Sequence, residues 1–140
     1  MKKGNEINFS DNKDIMRFEF APDIKERIIS ILNILNYDHI DSTRIVCMRS
    51  YGSKSIATAR IWGLSKVWQK ALKVKSHYII EVLHPRFDKL SKEDQDKTLL
   101  HELLHIPKKF SGGLVPHNCF GKKIDRRTVE KLYRKYFKKL

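Results

Sequence analysis

Thr98-Leu99-Leu100-His101-Glu102-Leu103-Leu104-His105-Ile106-Pro107 is the stretch on which the reading of this chain turns. Leu99 and Leu100 recur one turn later as Leu103 and Leu104, an apolar stripe of helical period. Pro107 ends that helix, because its ring removes the backbone N–H the next turn would need. Upstream, Ser91-Lys92-Glu93-Asp94 has the form of a capping box, so a helix is predicted from about Lys92 to Pro107. Two histidines four residues apart on it project within about 40° of each other, at ~100° per residue. Both imidazoles can then reach one divalent cation at ~2.0–2.1 Å. Glu102 lies at the edge of the same face, too short to join them easily as a ligand but placed to accept a proton from a water that a metal has acidified.

His-Glu-x-x-His on a helix is the pattern of zinc-dependent amide hydrolysis. Two histidines among paired leucines are costly to bury without partners, which favours a metal over a chance match. A catalytic zinc takes three protein ligands and leaves a fourth position for water, so a third donor is required. His117 is the expected one: it lies beyond Ser111-Gly112-Gly113, whose glycines let the chain reverse over the metal. Cys119 and Glu130 are the competing donors. His84 could approach the cleft from a strand end but reads more simply as a surface residue, as do His39 and His77.

Working outward, Ala21-Pro22-Asp23 starts a first helix in which Ile24, Ile28, Ile31, Leu32 and Leu35 recur at helical spacing up to Asn36. Arg44 to Ser50 holds the apolar run Ile45-Val46-Cys47-Met48 between turn residues and reads as a buried strand. Ala57 to Leu64 is a second strand. His77 to Leu83 is a third, with Tyr78, Ile80 and Val82 on one face and Ile79, Glu81 and Leu83 on the other. Between the last two, Ser65 to Lys75 fits a short helix built on Val67, Trp68, Ala71 and Leu72. Ile15 to Phe20 is an extended lead-in, and Val129, Leu132, Tyr133 and Phe137 define a final amphipathic helix reaching Leu140.

Composition bounds the rest. The chain has 140 residues, 41% of them hydrophobic, which suits one core and one domain over 15–140, after a flexible polar tail over 1–14. No stretch approaches the ~20 apolar residues of a membrane span, and the start lacks an apolar signal core. Two isolated thiols, Cys47 and Cys119, build no disulfide framework, so a cytoplasmic location is expected. The formal charge of +13 attracts polyanions. Its densest cluster is Lys122, Lys123, Arg126, Arg127, Lys131, Arg134, Lys135, Lys138 and Lys139, a candidate DNA contact that can equally be a solvated helix face.

Lys97 to Pro107, with Phe110-Ser111-Gly112-Gly113-Leu114 and Pro116-His117, resembles the metallopeptidase family of archaea and their viruses or phages. The resemblance extends through Arg49-Ser50-Tyr51-Gly52-Ser53, Ala59-Arg60-Ile61-Trp62 and Ile80-Glu81-Val82. It implies a small zincin with a zinc ion held by His101, His105 and His117 and Glu102 as base. More distantly, His117 with Phe120 is similar to the closing helix of SprT-like and WLM-type proteases, which space those two residues more widely. The metzincin spacing of the third histidine is absent.

The expected fold class is α+β and zincin-like: a three- or four-stranded sheet packed on the N-terminal helix and the His-Glu-x-x-His helix, with a basic C-terminal helix. The expected function is zinc-dependent hydrolysis of peptide bonds in a protein or peptide substrate, with proteins near DNA as a specialisation. In the proposed reaction Tyr133, Tyr136 or an arginine could stabilise the oxyanion, although core packing or surface charge is the simpler reading of each, and Arg49 and Arg60 would either support the ligands or snorkel along the sheet. The alternative is a non-catalytic nucleic-acid-binding domain whose zinc is closed by His101, His105, His117 and Cys119. Oligomeric state is not legible in the sequence.

Overall fold

The computed structural model describes residues 16–119 and 122–140, with Cys119 and Lys122 described by their backbone alone. The expected tail over 1–14, and Phe120, lie outside the described residues. The architecture is α+β: one four-stranded mixed sheet and four helices. The strands are β1 (Arg17–Phe20), β2 (Ile45–Tyr51), β3 (Ala59–Gly63) and β4 (Tyr78–His84). They lie in the order β1-β2-β4-β3, with β2 and β4 parallel and both outer strands antiparallel to their neighbours. Placing β4 between β2 and β3 leaves β3 at an edge, and this choice positions the site described below.

Helix α1 (Pro22–Leu35) begins on a proline in its first turn, where the missing N–H would have no partner, and ends at Asn36 in the left-handed conformation (φ 54°). Its buried stripe is the expected one: Ile24, Ile28, Ile31, Leu32 and Leu35. These side chains meet Ile45 and Cys47 of β2 and Tyr78, Ile80 and Val82 of β4, which alternation directs to the same face of the sheet. Helix α3 (Lys92–Leu104) completes that layer with Leu99, Leu100 and Leu103, and its start is capped by Ser91 Oγ accepting from the Asp94 N–H at 3.2 Å. Burying an aliphatic side chain of this size stabilises the fold by about 1.5–3 kcal/mol each.

Charged side chains lock the helices laterally. The buried Asp96 of α3 accepts from Arg27 of α1 at 2.5 Å, and the same guanidinium donates to Gln95 at 2.6 Å. Lys97 of α3 reaches Glu130 of α4 (Arg126–Lys139) at 2.5 Å. Helix α4 starts at Asp125, whose carboxylate accepts from the Thr128 N–H at 2.9 Å. Its core face is Val129, Tyr133 and Tyr136; Phe137, expected inside, is 61% exposed. Two further elements are a short helix α2 (Lys66–Leu72), none of whose residues is buried, and a two-stranded ribbon of β5 (Asn118–Cys119) and β6 (Lys122–Lys123). Among the described residues no helix is long and apolar enough to cross a membrane.

Candidate metal centre

His101 occupies the last full turn of α3 and His105 its C-cap, in the right-handed region (φ −73°, ψ −11°) just before Pro107. The chain then loops through residues 106–117 and returns His117 to the same place. The three imidazoles form a cluster of potential ligand atoms lying within 4.8 Å of one another. His101 Nε2 stands 3.1 Å from His117 Nε2 and 3.4 Å from His105 Nε2. A tetrahedral zinc with bonds of ~2.0–2.1 Å has ligand-to-ligand edges of about 3.3–3.4 Å. Two of the three nitrogen separations are thus close to a tetrahedral edge and the third is within 4.8 Å, so the three imidazoles converge on one point.

The donor chemistry agrees. His105 Nδ1 lies 2.5 Å from the Val115 carbonyl oxygen, which can only accept, so the proton is on Nδ1 and the Nε2 lone pair points to the centre. The Val115 N–H donates back to the His105 carbonyl at 2.7 Å, so the loop and the helix end clasp one another. Burial, then the neighbouring His105 and His117, hold the His101 imidazole below its ordinary value of 6.5 and favour the neutral form a metal needs. His117 is exposed and His105 buried, so the cluster opens toward solvent on one side.

Glu102 is 8% exposed, and burial pushes its carboxyl up to about 7. No hydrogen-bond donor among the described residues holds it. A buried carboxylate without a partner is costly unless a solvent proton or a cation answers it. It lines the cleft between α3 and β3 together with His101, Ala59 and Ile61. The cleft continues past Thr98 to Arg126 at the start of α4. The residues present fit a divalent cation: three convergent imidazoles, one open side and a buried carboxyl beside them.

The loop is aimed by contacts that no local pattern announces. Tyr78, fully buried on β4, accepts from the Gly112 N–H at 2.9 Å and donates to the Gly113 carbonyl at 2.7 Å. Gly112 has φ +94°, and a Cβ there would meet the Leu64 carbonyl oxygen at 2.1 Å. A Cβ on Gly63 would meet the Gly112 oxygen at 2.0 Å, so two glycines let the loop lie directly on the end of β3. Gln69 Nε2 donates to Ser111 O at 2.8 Å, and Ser76 Oγ donates to Phe110 O.

The other candidates fall elsewhere. Glu130 is occupied by Lys97, and the Cys119 side chain lies outside the described residues. Tyr133 and Tyr136 are buried in the core, the simpler of their two readings. Arg49 of β2 forks between Asp23 and Asp88, and His84 pairs with Asp88. Arg60 borders the cleft but is bidentate to the buried Glu81, at 2.9 and 3.1 Å. On α4, Arg126, Arg127, Lys131, Arg134, Lys135, Lys138 and Lys139 are exposed, as is Lys123 before it.

An α+β chain with a helix-borne His-Glu-x-x-His, a third histidine returned by a clamped loop and a buried carboxylate beside them has the equipment of a metal-dependent hydrolase. Residues 16–137 match the family described as "Putative phage metallopeptidase", and the chain belongs to it. The family implies a metal and a peptidase activity, and the three histidines are the group able to hold that metal. No curated protein and no solved structure matches the chain.

Proposed function

We propose that this chain is a zinc-dependent endopeptidase with a zincin-like arrangement of helix and edge strand. One observation carries the reading: three imidazoles converge, with His101 Nε2 at 3.1 and 3.4 Å from the Nε2 atoms of His117 and His105, beside a buried carboxyl in a cleft. His101, His105 and His117 hold the ion. When bound, zinc supplies the Lewis acidity that makes water nucleophilic near neutral pH and polarises a carbonyl. Glu102 accepts the proton of the attacking water on a carboxylate oxygen and delivers it to the departing amine nitrogen. Strand β3 pairs only with β4 among the described strands, so its outer edge offers N–H and C=O groups to an extended substrate beside the cleft. The solvent-facing His117 supports an open fourth position.

Glu102→Gln tests the reading. It preserves shape and ligands, so the variant is expected to bind one equivalent of zinc by elemental analysis and to fold normally. Cleavage of unstructured casein should fall by about 10²–10⁴. Undiminished cleavage, or a fourth protein ligand in a zinc-edge anomalous map, would replace this reading with a structural zinc. The substrates we favour are proteins associated with DNA, because the cations of α4 continue from Arg126 in the cleft along the helix. Charge reversal at Arg134, Lys135 and Lys138 should then weaken cleavage of DNA-bound protein while sparing casein.

A further inference from the structure

The face of the sheet turned away from α1 and α3 carries a second surface, separate from the metal centre. Alternation along the strands puts Phe18 and Phe20 of β1, Met48 of β2, Ile79 of β4 and Trp62 of β3 on this face, and Trp68 of α2 borders it. Together they line a groove of about 970 Å³. Its aromatic rings are open to solvent: Phe18 is 55% exposed, Phe20 77%, Trp62 51% and Trp68 57%. A contiguous apolar patch of this kind marks a binding surface.

The charge beside it on α2 is positive. Between Asp41 and Glu81 the sequence has eight lysines and arginines and no acidic residue at all. Lys66, Lys70, Lys73 and Lys75 lie on α2 and the turn after it, the segment that presents Trp68 to the groove, and all four are exposed. The one carboxylate in the groove, Glu81, is 2% exposed and bound by Arg60 and by the Trp62 indole N–H at 2.8 Å. It therefore projects no free negative charge, and it holds the Trp62 ring in place with the Arg60 guanidinium 5.4 Å from the ring centroid.

From this combination we infer that the open sheet face binds single-stranded nucleic acid, with bases stacked on Phe18, Trp62 and Trp68 and phosphates drawn to the lysines of α2. Stacking platforms flanked by cations are how sequence-tolerant single-strand binders work. A second copy of the chain is the less suitable occupant, because docking two such faces would bring their lysines together in molecules already carrying +13 each. The inference does not depend on the metallopeptidase reading and uses none of the three histidines or Glu102.

The test is fluorescence anisotropy of the full chain with a labelled oligothymidylate of about 12 nucleotides in about 50 mM salt. Binding should weaken with salt, the slope of log K against log salt being about −2 to −3 if three or four phosphates are neutralised at ~0.7 each. Trp68→Ala should weaken binding about five- to a hundredfold, while Trp68→Phe stays within a few-fold of the parent. Lys70→Glu with Lys73→Glu should weaken it and flatten the slope by at least about 1. All these side chains are exposed, so the fold is retained, and circular dichroism checks this. No binding at all overturns the inference. So does binding abolished by reversal of Arg134, Lys135 and Lys138 but untouched at Trp68, Lys70 and Lys73, which places it on α4. A chain that sediments as a dimer, becomes monomeric on Trp68→Ala and binds the oligonucleotide unchanged would assign the face to self-association.

Discussion

Glu81 shows how one buried carboxylate can be both a structural anchor and a source of pH dependence. It stands directly opposite Arg60 in the β3–β4 register and accepts from both Arg60 and Trp62. Burial opposes its ionisation, but the Arg60 guanidinium and the Trp62 N–H prevail and hold the carboxyl below its ordinary value of 4.5. A folded-state pKa below the unfolded one means that the stabilisation is complete above about pH 4.5 and is lost as pH falls through the folded value. Glu81→Gln should therefore lower stability at pH 7 by about 2–3 kcal/mol, since a guanidinium is left without its partner, and should flatten the acid limb of the stability curve. Urea melts of both proteins between pH 7 and 3 measure this. Parallel curves across that range would show that the pair contributes nothing to acid lability.

At the scale of elements, the loop carrying His117 is held by Tyr78, Gly63 and Gly112 rather than by its own sequence. Gly112→Ala forces a side chain into a left-handed position against the Leu64 carbonyl, so we expect a loss of about 2–4 kcal/mol and a weaker metal site. Tyr78→Phe removes only the hydroxyl, leaves the Gly112 N–H unanswered and should cost about 1–3 kcal/mol, with metal affinity falling in the same sense. Zinc titrations against a chromophoric chelator report the affinity directly. Affinity unchanged in both variants would mean that His117 is positioned from elsewhere. These contacts explain where sequence reading succeeded and where it stopped. The stripe of α1, strands β2, β3 and β4, α3 and the convergence of His101 with His105 follow from periods of 3.6 and 2, which are local. His117 was legible as a candidate only because glycines precede it. The Tyr78 clamp joins residues 34 and 35 apart in sequence, and no local pattern encodes it. In sequence, residues 15–20 show no more than an extended lead-in, because all four residues of β1 are exposed and its strand character comes from pairing with β2. Phe137 was misplaced because α4 turns Tyr136 inward instead, and two aromatic neighbours on a helix edge are not distinguished by periodicity.

For the molecule as a whole, a metal held by the three histidines would couple the end of α3 and the loop beyond it to folding. His101 and His105 come from α3, and His117 arrives through a loop clamped to β3 and β4, so a bound ion ties the helical layer to the edge of the sheet. An unfolded chain cannot assemble three ligands from two separated segments with comparable affinity, so binding free energy becomes folding free energy. Stabilisation follows RT ln(1 + [L]/Kd), about 4 kcal/mol at a free zinc concentration ~1,000 times Kd. In a domain of this size that is an upward shift in Tm of about 10 °C or more. Thermal melts with excess chelator and with buffered zinc should differ by this amount in the parent protein. His117→Ala should lose most of the shift while melting normally in chelator, because an exposed side chain contributes little packing. Glu102→Gln, which leaves all three histidines in place, should keep all of it. If zinc leaves the parent's Tm unmoved, the three imidazoles do not form a metal site under those conditions. If Glu102→Gln abolishes the shift instead, the carboxylate belongs to the coordination sphere and is not the free base assigned to it.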